Sequence, residues 1–297
     1  MTAAIPEFPD FTVLEIAHRD AFLKIADEER VRTSERSFGN LVLWRHPVRT
    51  HVARLAGGLC IRWGVPGEEV FTQPMGVAPA LFDAAIRASV EPPVTALRVE
   101  EEYAAALEGL GWSIAPDRNN WDYVYLADDL AELSGRRFDG KRNHIKTVTD
   151  AHDCRYEALT PALAGECLAL QKRWCKAKAC DESEGLSWED KAVKLGLASL
   201  EEVGLFGGTV FVDGELEAFC IAERLNHDTA VVHFEKASPE IPGLYQLINY
   251  WFARKALRGR FTYVNREQDL GIEGLRRAKE SYYPHHMVRK YTAVLAG

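Results

Sequence analysis

DTAVVHFEKASPEIPGLYQLINYWFARKALRGRFTYVNREQDLGIEGLRRAKESYYPHHMVRKY, residues 228–291, is the stretch whose reading decides the fold. It opens on an almost unbroken apolar run that carries His233 and Glu235 two residues apart. Side chains two apart on a strand share a face, so an imidazole and a carboxylate are offered together. Pro239-Glu240-Ile241-Pro242-Gly243 is a place for a helix to begin, and the apolar residues beyond it fall at 244, 247, 248, 251 and 252, one helical stripe. Arg254, Lys255 and Arg258 gather where cations suit the end of the helix dipole, and Gly259 suits a stop, which predicts a helix over 243–257. Phe261 to Val264 reads as a buried strand. It leads into the densest polar cluster in the chain: Asn265, Arg266, Glu267, Asp269, Gly271, Gly274, Arg276, Arg277 and Lys279. Strand, helix, strand and a charged, glycine-bearing turn before a further helix over 271–280 is how α/β proteins assemble ligand sites.

Outward from this stretch, a final strand is expected over 287–295. Upstream, Asp213-Gly214 joins apolar arms at 209–212 and 215–223, a strong hairpin signal. Before it come a strand at 155–159, a helix opened by Thr160-Pro161, and a second helix opened by the capping-box-like Ser187-Trp188-Glu189-Asp190 and ending near Gly204. The first half runs in a similar order. A strand at 11–16, a helix at 19–30 and a buried segment at 37–44 precede a hairpin over 50–63 about Gly57-Gly58. A third strand at 70–73, a helix at 78–90, a strand at 94–99, a helix at 101–110 closed by Gly111 and a strand at 121–126 follow. Order and spacing, not any letter-level repeat, therefore predict two copies of one α/β fold. The expected division is an N-terminal domain over 1–135, a basic connector over 136–152 and a C-terminal domain over 153–297 with the main site.

Composition bounds the function. Hydrophobic residues make up 47% of the 297 and charged residues 27%, enough apolar material for real cores. The formal net charge of −8 argues against a wholesale nucleic-acid binder but leaves room for one basic groove. No apolar run approaches the roughly 20 residues of a membrane helix, and the start lacks the basic and apolar regions of a secretory signal. Of the six cysteines only Cys175 and Cys180 are close, and no histidines accompany them at zinc-site spacing. Reduced, mostly buried thiols in a cytoplasmic protein are expected. His285-His286 with Glu280 lacks further ligands at usable spacing, so no metal is expected.

The element order (hairpin and third strand, then helix, strand, helix, strand) is that of the GNAT acyltransferase fold. Three phrases carry a closer resemblance: GKRNHIK (140–146), HFEKASPEIPGLYQLIN (233–249) and NREQDLGIEGLRRAKESYYP (265–284). Through them essentially the whole chain resembles the soluble C-terminal domain of phosphatidylglycerol lysyltransferases and its stand-alone relatives, related in architecture to the Fem-type peptidyltransferases. The resemblance implies two tandem GNAT-like domains, mixed sheets flanked by helices. It also implies an acyltransferase that moves an aminoacyl group from aminoacyl-tRNA to an amine or hydroxyl acceptor on a lipid head group, peptide or small molecule. The lysyltransferases carry an N-terminal membrane part for which this chain shows no segment, so the fold is implied more firmly than the acceptor.

The donor is open to a test within the sequence. GNAT enzymes that use acetyl-CoA hold its pyrophosphate on amides at a helix start, with small residues allowing close approach. Here Ile241-Pro242-Gly243-Leu244-Tyr245 stands in that place; Gly243 fits, Tyr245 puts a ring at the second small position and Pro242 removes a donor. In the first half Pro74-Met75-Gly76-Val77-Ala78 is no better. Acetyl- or acyl-CoA is thus disfavoured, and a CoA-dependent N-acyltransferase is the alternative to the aminoacyl-tRNA reading. A non-catalytic dual-domain binding protein is a second alternative.

The expected site follows. Glu235 fits a general base or a holder of the amino group, with His233 beside it, and equally a strand-end carboxylate paired with Lys236 or Arg266. Arg266 and Asp269 would orient the donor; Asp269 fits a capped tight turn as well. Tyr283, or Tyr282, fits an acid for the leaving group, or a packed aromatic. Lys141, Arg142, Arg276 and Lys279 would contact phosphate, or form solvated helix faces. Asn143, Gly243, Tyr245, Asn249, Glu267, Gly271 and Gly274 complete the expected substrate-binding set.

Overall fold

The computed structural model describes residues 4–45, 49–64 and 69–297. Its strands are β1 (Thr12–Val13), β2 (Thr50–Leu55), β3 (Gly58–Trp63), β4 (Val70–Thr72), β5 (Val94–Glu100), β6 (Ser113–Pro116) and β7 (Asp122–Leu126), followed in the second half by β8 (Cys154–Ala158), β9 (Phe206–Val212), β10 (Glu215–Arg224), β11 (Thr229–Ala237), β12 (Tyr263–Asn265), β13 (His286–Val288) and β14 (Lys290–Leu295). Both predicted hairpins form. Their turns, Ala56-Gly57 and Asp213-Gly214, place two successive residues at positive φ, as the twist of a two-residue hairpin requires.

One seven-stranded sheet has the order β1-β2-β3-β4-β5-β14-β6 and the other β13-β7-β12-β11-β10-β9-β8. Each contains an antiparallel series that ends in one parallel pair, β4 with β5 and β11 with β12. Beside each parallel pair lies a strand from the other half of the sequence. β14 pairs with β5 in the first sheet, and β7 pairs with β12 in the second. The expected division at 135 and 153 therefore differs from the observed one. One compact unit comprises Met1–Tyr123, Gln268–Arg277 and Met287–Gly297, the other Val124–Glu267 and Ala278–His286. Local periodicity shows that a segment is a strand, not which sheet receives it. β6, which pairs with β14, is short and mostly exposed and left no sequence signal.

The predicted connector is not a connector. Ala127–Glu132 and Asp139–Ala151 are helices of the second unit, and the basic run turns Phe138 and Val148 inward. The helix expected from Ser187 starts earlier, at Glu184, because Ser183 accepts the Leu186 amide as its cap; Ser187 lies inside the helix, which ends at Ala198. The helix expected over 243–257 forms as Leu244–Phe252 and continues as a wider π turn, Ala253–Leu257. Cys175 and Cys180 form a disulfide with Cα atoms 5.0 Å apart, which corrects the expectation of reduced thiols for that pair. Ala179 in the left-handed region folds Cys180 back onto the helix end. Cys60, Cys167 and Cys220 are free and buried. Among the described residues no helix is long and apolar enough to cross a membrane, and no group of three or more potential ligands is placed to hold a metal ion.

The first unit packs Phe71, Phe82, Trp112 and Ala293 into one core, with the Trp112 indole N–H donating to Asp83 at 2.7 Å. Beyond this core, β14 brings in a fully buried cation. The Lys290 ammonium bonds Asp122 at 2.6 Å and Glu35 as well, while Ser34 donates to the same Asp122 carboxylate through its amide and its hydroxyl. Removing one partner of a buried pair leaves the others uncompensated, at about 3–5 kcal/mol. Lys290→Met is therefore expected to lower the urea midpoint of the first unit sharply. Lys146→Met, which removes an exposed i,i+4 pair with Asp150, should leave the midpoint in place.

Candidate active site

In the second unit the sheet centre and the end of β12 gather one cluster. Glu235 projects from β11, and Arg266 leaves β12 through Asn265, whose side chain accepts the Glu267 amide at 2.8 Å and so shapes the bend. Arg266 Nη2 donates to both Glu235 oxygens at 3.2 and 3.3 Å, and the Asn249 amide donates to Glu235 Oε2 at 3.3 Å. The guanidinium stands 5.0 Å from the Tyr282 ring centre and 5.7 Å from that of Tyr125. Lys141 lies 4.2 Å from the Tyr282 ring and donates to Ser281 Oγ at 2.6 Å. Two cations thus stand near one aromatic ring, with one carboxylate facing Arg266. Burial lowers the Lys141 pKa, and Arg266 lowers it further. Burial opposes the Arg266 charge, but Glu235 together with Tyr125 and Tyr282 offsets this and its pKa lies above the ordinary value.

Two polar atoms of this cluster are shielded from solvent and have no hydrogen-bond partner among the described residues: the donor Arg266 Nη1 and the acceptor Asn249 Oδ1. Both groups flank Glu235. A buried polar atom without a partner costs about 1–3 kcal/mol, and such atoms concentrate where ligands complete the bonding.

His233 has a different task from the one expected. It is the extra residue of a bulge in β11, lying between Val232, opposite Ala222, and Phe234, opposite Ile221. Its ring is fully buried between Glu223, 2.9 Å from Nε2, and Glu267, 2.8 Å from Nδ1. Burial opposes its charge, but the hydrogen bonds to Glu223 and Glu267 more than reverse this and raise its pKa to about 10. An imidazolium donating from both nitrogens has no lone pair with which to act as a base. His233 and Glu267 therefore fix the bend that carries Arg266.

The other expected residues separate. Lys279 donates to the Arg266 carbonyl, and the Tyr125 hydroxyl donates to the Lys279 carbonyl at 2.8 Å, so Lys279 supports the bend. Arg142 donates to the carbonyls of Leu133 and Gly135 and pairs with Asp139, closing a turn. Asn143 is exposed on the same helix. Tyr283 packs edge-on to Phe138 beneath Arg137; the tyrosine of the cluster is Tyr282. The Tyr245 hydroxyl accepts the Trp174 indole N–H at 2.8 Å. Gly243 has φ 96°, and a Cβ there would sit 2.7 Å from the His144 carbonyl oxygen. It lets the helix Asp139–Ala151 lie against the start of Leu244–Phe252, which is a packing role. Sequence reading missed Tyr125 and Ser281 in this cluster, and Glu223 beside His233. Alternation in WDYVYL marked Tyr125 as strand, but not the sheet that takes it.

Asp269, Gly271, Gly274 and Arg276 belong to the first unit. Asp269 is fully buried and accepts from Arg118, Arg276, the Tyr123 hydroxyl and the Gly271 amide at 2.7–3.0 Å. Burial pushes its carboxyl up, but Arg276, Tyr123 and the Gly271 amide hold it well below the usual carboxylate range. This is a turn scaffold, helped by Gly271 at φ 75° against Asn119. Gly274 has open space where a Cβ would stand.

His233 gives a signed pH dependence. Its folded pKa lies above the unfolded value near 6.5, so its contribution to stability is complete below that value and is lost as pH rises through about 10. The urea midpoint of the second unit should fall between pH 7 and about 10, and His233→Gln should flatten that part of the profile.

A family profile described as phosphatidylglycerol lysyltransferase, C-terminal, matches residues 28–294. A conserved protein of unknown function from Bacteroides thetaiotaomicron VPI-5482 is 35% identical, with 96% of this chain and 99% of that chain covered and a TM-score of 0.90. L-PGS from Bacillus licheniformis is 15% identical over 98% of this chain and 94% of its own, with a TM-score of 0.68. FemX is 12% identical over 96% of this chain and 97% of its own, with a TM-score of 0.63. At the last two identities the likeness shows the fold alone. No curated protein matches the chain. With the profile matched over most of its length, the chain belongs to the phosphatidylglycerol lysyltransferase C-terminal family, a family of transferases.

Proposed function

We propose that the second unit transfers an aminoacyl group from aminoacyl-tRNA to an amine or hydroxyl acceptor, a lipid head group or the amine of a peptide. The observation that carries this is the unpartnered pair, Arg266 Nη1 as donor and Asn249 Oδ1 as acceptor, on either side of Glu235. An aminoacyl ester matches that pattern. Its ammonium donates to Asn249 and Glu235, and its carbonyl oxygen accepts from Arg266.

In the transfer, the acceptor nitrogen or oxygen bonds to the ester carbonyl carbon and the bond to the tRNA ribose oxygen breaks. The proton lost by the acceptor ends on that ribose oxygen. Arg266 stabilises the negative charge that develops on the carbonyl oxygen. Glu235 holds the amino group, and Lys141, half-buried beside Arg266, meets the terminal phosphate of the donor. An ester is already activated, so position and charge are what the protein contributes.

What supports an ester donor over a CoA thioester is the packing at Gly243. The helix start where a pyrophosphate would rest has the His144 backbone against it. Tyr245, engaged with Trp174, fills the next position.

The test is transfer of labelled aminoacyl groups from a mixed charged-tRNA pool to phosphatidylglycerol vesicles or to a peptide amine. Arg266→Ala should reduce transfer by about 10²–10³-fold. Glu235→Gln should chiefly raise KM for charged tRNA. Activity that acetyl-CoA supports and charged tRNA does not would overturn the proposal. Separately, Lys141→Ala should weaken tRNA binding and reduce the slope of log affinity against log salt by about 0.7–0.9.

A further inference from the structure

The disulfide of the second unit stands at the end of a series of contacts that reaches the candidate site. Cys175 lies near the end of the helix Ala164–Lys178, and Trp174 beside it donates its indole N–H to the Tyr245 hydroxyl at 2.8 Å. The Lys236 ammonium is 3.6 Å from the centre of the Trp174 ring and bonds Glu189 at 2.6 Å. Lys236 follows Glu235 in β11, and Tyr245 precedes Asn249 by one turn of the helix Leu244–Phe252. Trp174 therefore braces the two elements that present Glu235 and Asn249.

The surroundings of Cys175 suit a thiol better than a disulfide. Asp190 Oδ1 is 3.6 Å from Cys175 Sγ, within reach of an S–H donor, but a disulfide sulfur has no proton to give. Lys194 takes the other Asp190 oxygen. Gln171, fully buried, donates to Asp190 Oδ1 at 3.1 Å and weakly to the sulfur at 3.4 Å. Its own Oε1 is shielded from solvent with no partner among the described residues. Reduction thus brings a proton to a place that has acceptors to spare. Nor does the bond gain much by closing the chain, because its cysteines are five residues apart and a short loop restricts the unfolded chain least. A disulfide whose reduced form is stabilised has a raised potential and yields to dithiols.

We propose that the Cys175–Cys180 bond is a reversible redox switch on the second unit's site, opened by a dithiol and bracing the site when closed. Its effect on transfer rests on the reaction proposed above; its redox poise does not. A thiolate of the dithiol attacks Sγ of Cys175, which is half-buried, whereas Cys180 is 4% exposed. The bond between the cysteines breaks, and Cys180 leaves as a thiolate and takes up a proton. The second thiolate of the dithiol then displaces Cys175, which takes up the other proton beside Asp190. Two electrons pass to the protein, and the dithiol ends as its own disulfide. In the open form nothing ties Cys180 to the helix end through Ala179, which the closed form holds at φ 50°, and Trp174 loosens with that end.

The experiment begins with the full chain in equal concentrations of reduced and oxidised dithiothreitol, quenched with acid and alkylated in denaturant. At least about nine-tenths of it should carry six labels rather than the four of Cys60, Cys154, Cys167 and Cys220. A smaller share would mark a structural bond and overturn the proposal. Reduction should raise KM for charged tRNA about fivefold, the loss of about one hydrogen bond, and reoxidation should restore it. Cys175→Ser and Cys180→Ser should each hold the raised value whether or not dithiol is present, while Cys154→Ser should respond as the unaltered chain does. Trp174→Phe, which lacks the indole donor, should show the raised value in both states. With no substrate present, hydrogen exchange at the start of Leu244–Phe252 should quicken on reduction. If it does and charged tRNA is not used, the switch stands and the proposed reaction falls. Unchanged exchange, or an unchanged KM in an active enzyme, would overturn the switch.

Discussion

A proton on His233 holds the second unit's cluster in shape. Two carboxylates, Glu223 and Glu267, face a ring with no access to solvent, and without the charge between them they would repel each other at close range. Glu267 is the residue after Arg266 and sits in the left-handed region at φ 55°. Such a conformation costs a non-glycine residue free energy and persists where its surroundings enforce it. The imidazolium bond on one side and the Asn265 bond to the Glu267 amide on the other supply that enforcement. What emerges is a guanidinium aimed at Glu235, with Lys279 fixing the same bend from its carbonyl.

The first unit solves a parallel problem with different groups. Asp122 and Glu35 are brought together in a buried place, and Lys290 lies between them. In both units a buried cation stands between two carboxylates; in the first it ties β14 to residues distant in the chain, and in the second it joins the neighbouring strands β10 and β11 to the bend after β12. Burying three charges is a poor route to stability compared with apolar packing, but it discriminates strongly against wrong pairings, because every misplaced strand leaves an ion without its partner.

Much of this fold was legible from local chemistry. Asp213-Gly214 marks its turn because both residues must adopt positive φ, and the stripe at 244, 247, 248, 251 and 252 can only be one face of a helix. The cluster was legible in part. Glu235, Arg266, Asn249 and Lys141, all singled out in the sequence, come together in one cluster. His233 drew attention by sharing a strand face with Glu235, Arg142 by its basic run, and Asp269 and Lys279 by their glycine-bearing stretch, yet these four brace turns and bends. A sequence shows that a charged residue must find a partner; it does not show whether the partner is a carbonyl two turns away or a substrate. Nor does it show which sheet a strand joins. That choice rests on pairings such as Tyr263 with Leu126, set by contacts distant in the chain.

The strand exchange bears on how the protein is made. β5 is complete at Glu100, but its neighbour β14 starts only at Lys290. At about 5–20 residues per second, the ribosome needs on the order of 10 to 40 seconds to supply the missing strand. Throughout that interval β5 offers an unpaired edge, and the Asp122 carboxylate waits for its ammonium. The first unit, although mostly encoded first, is completed by a strand encoded after the second unit's last segment.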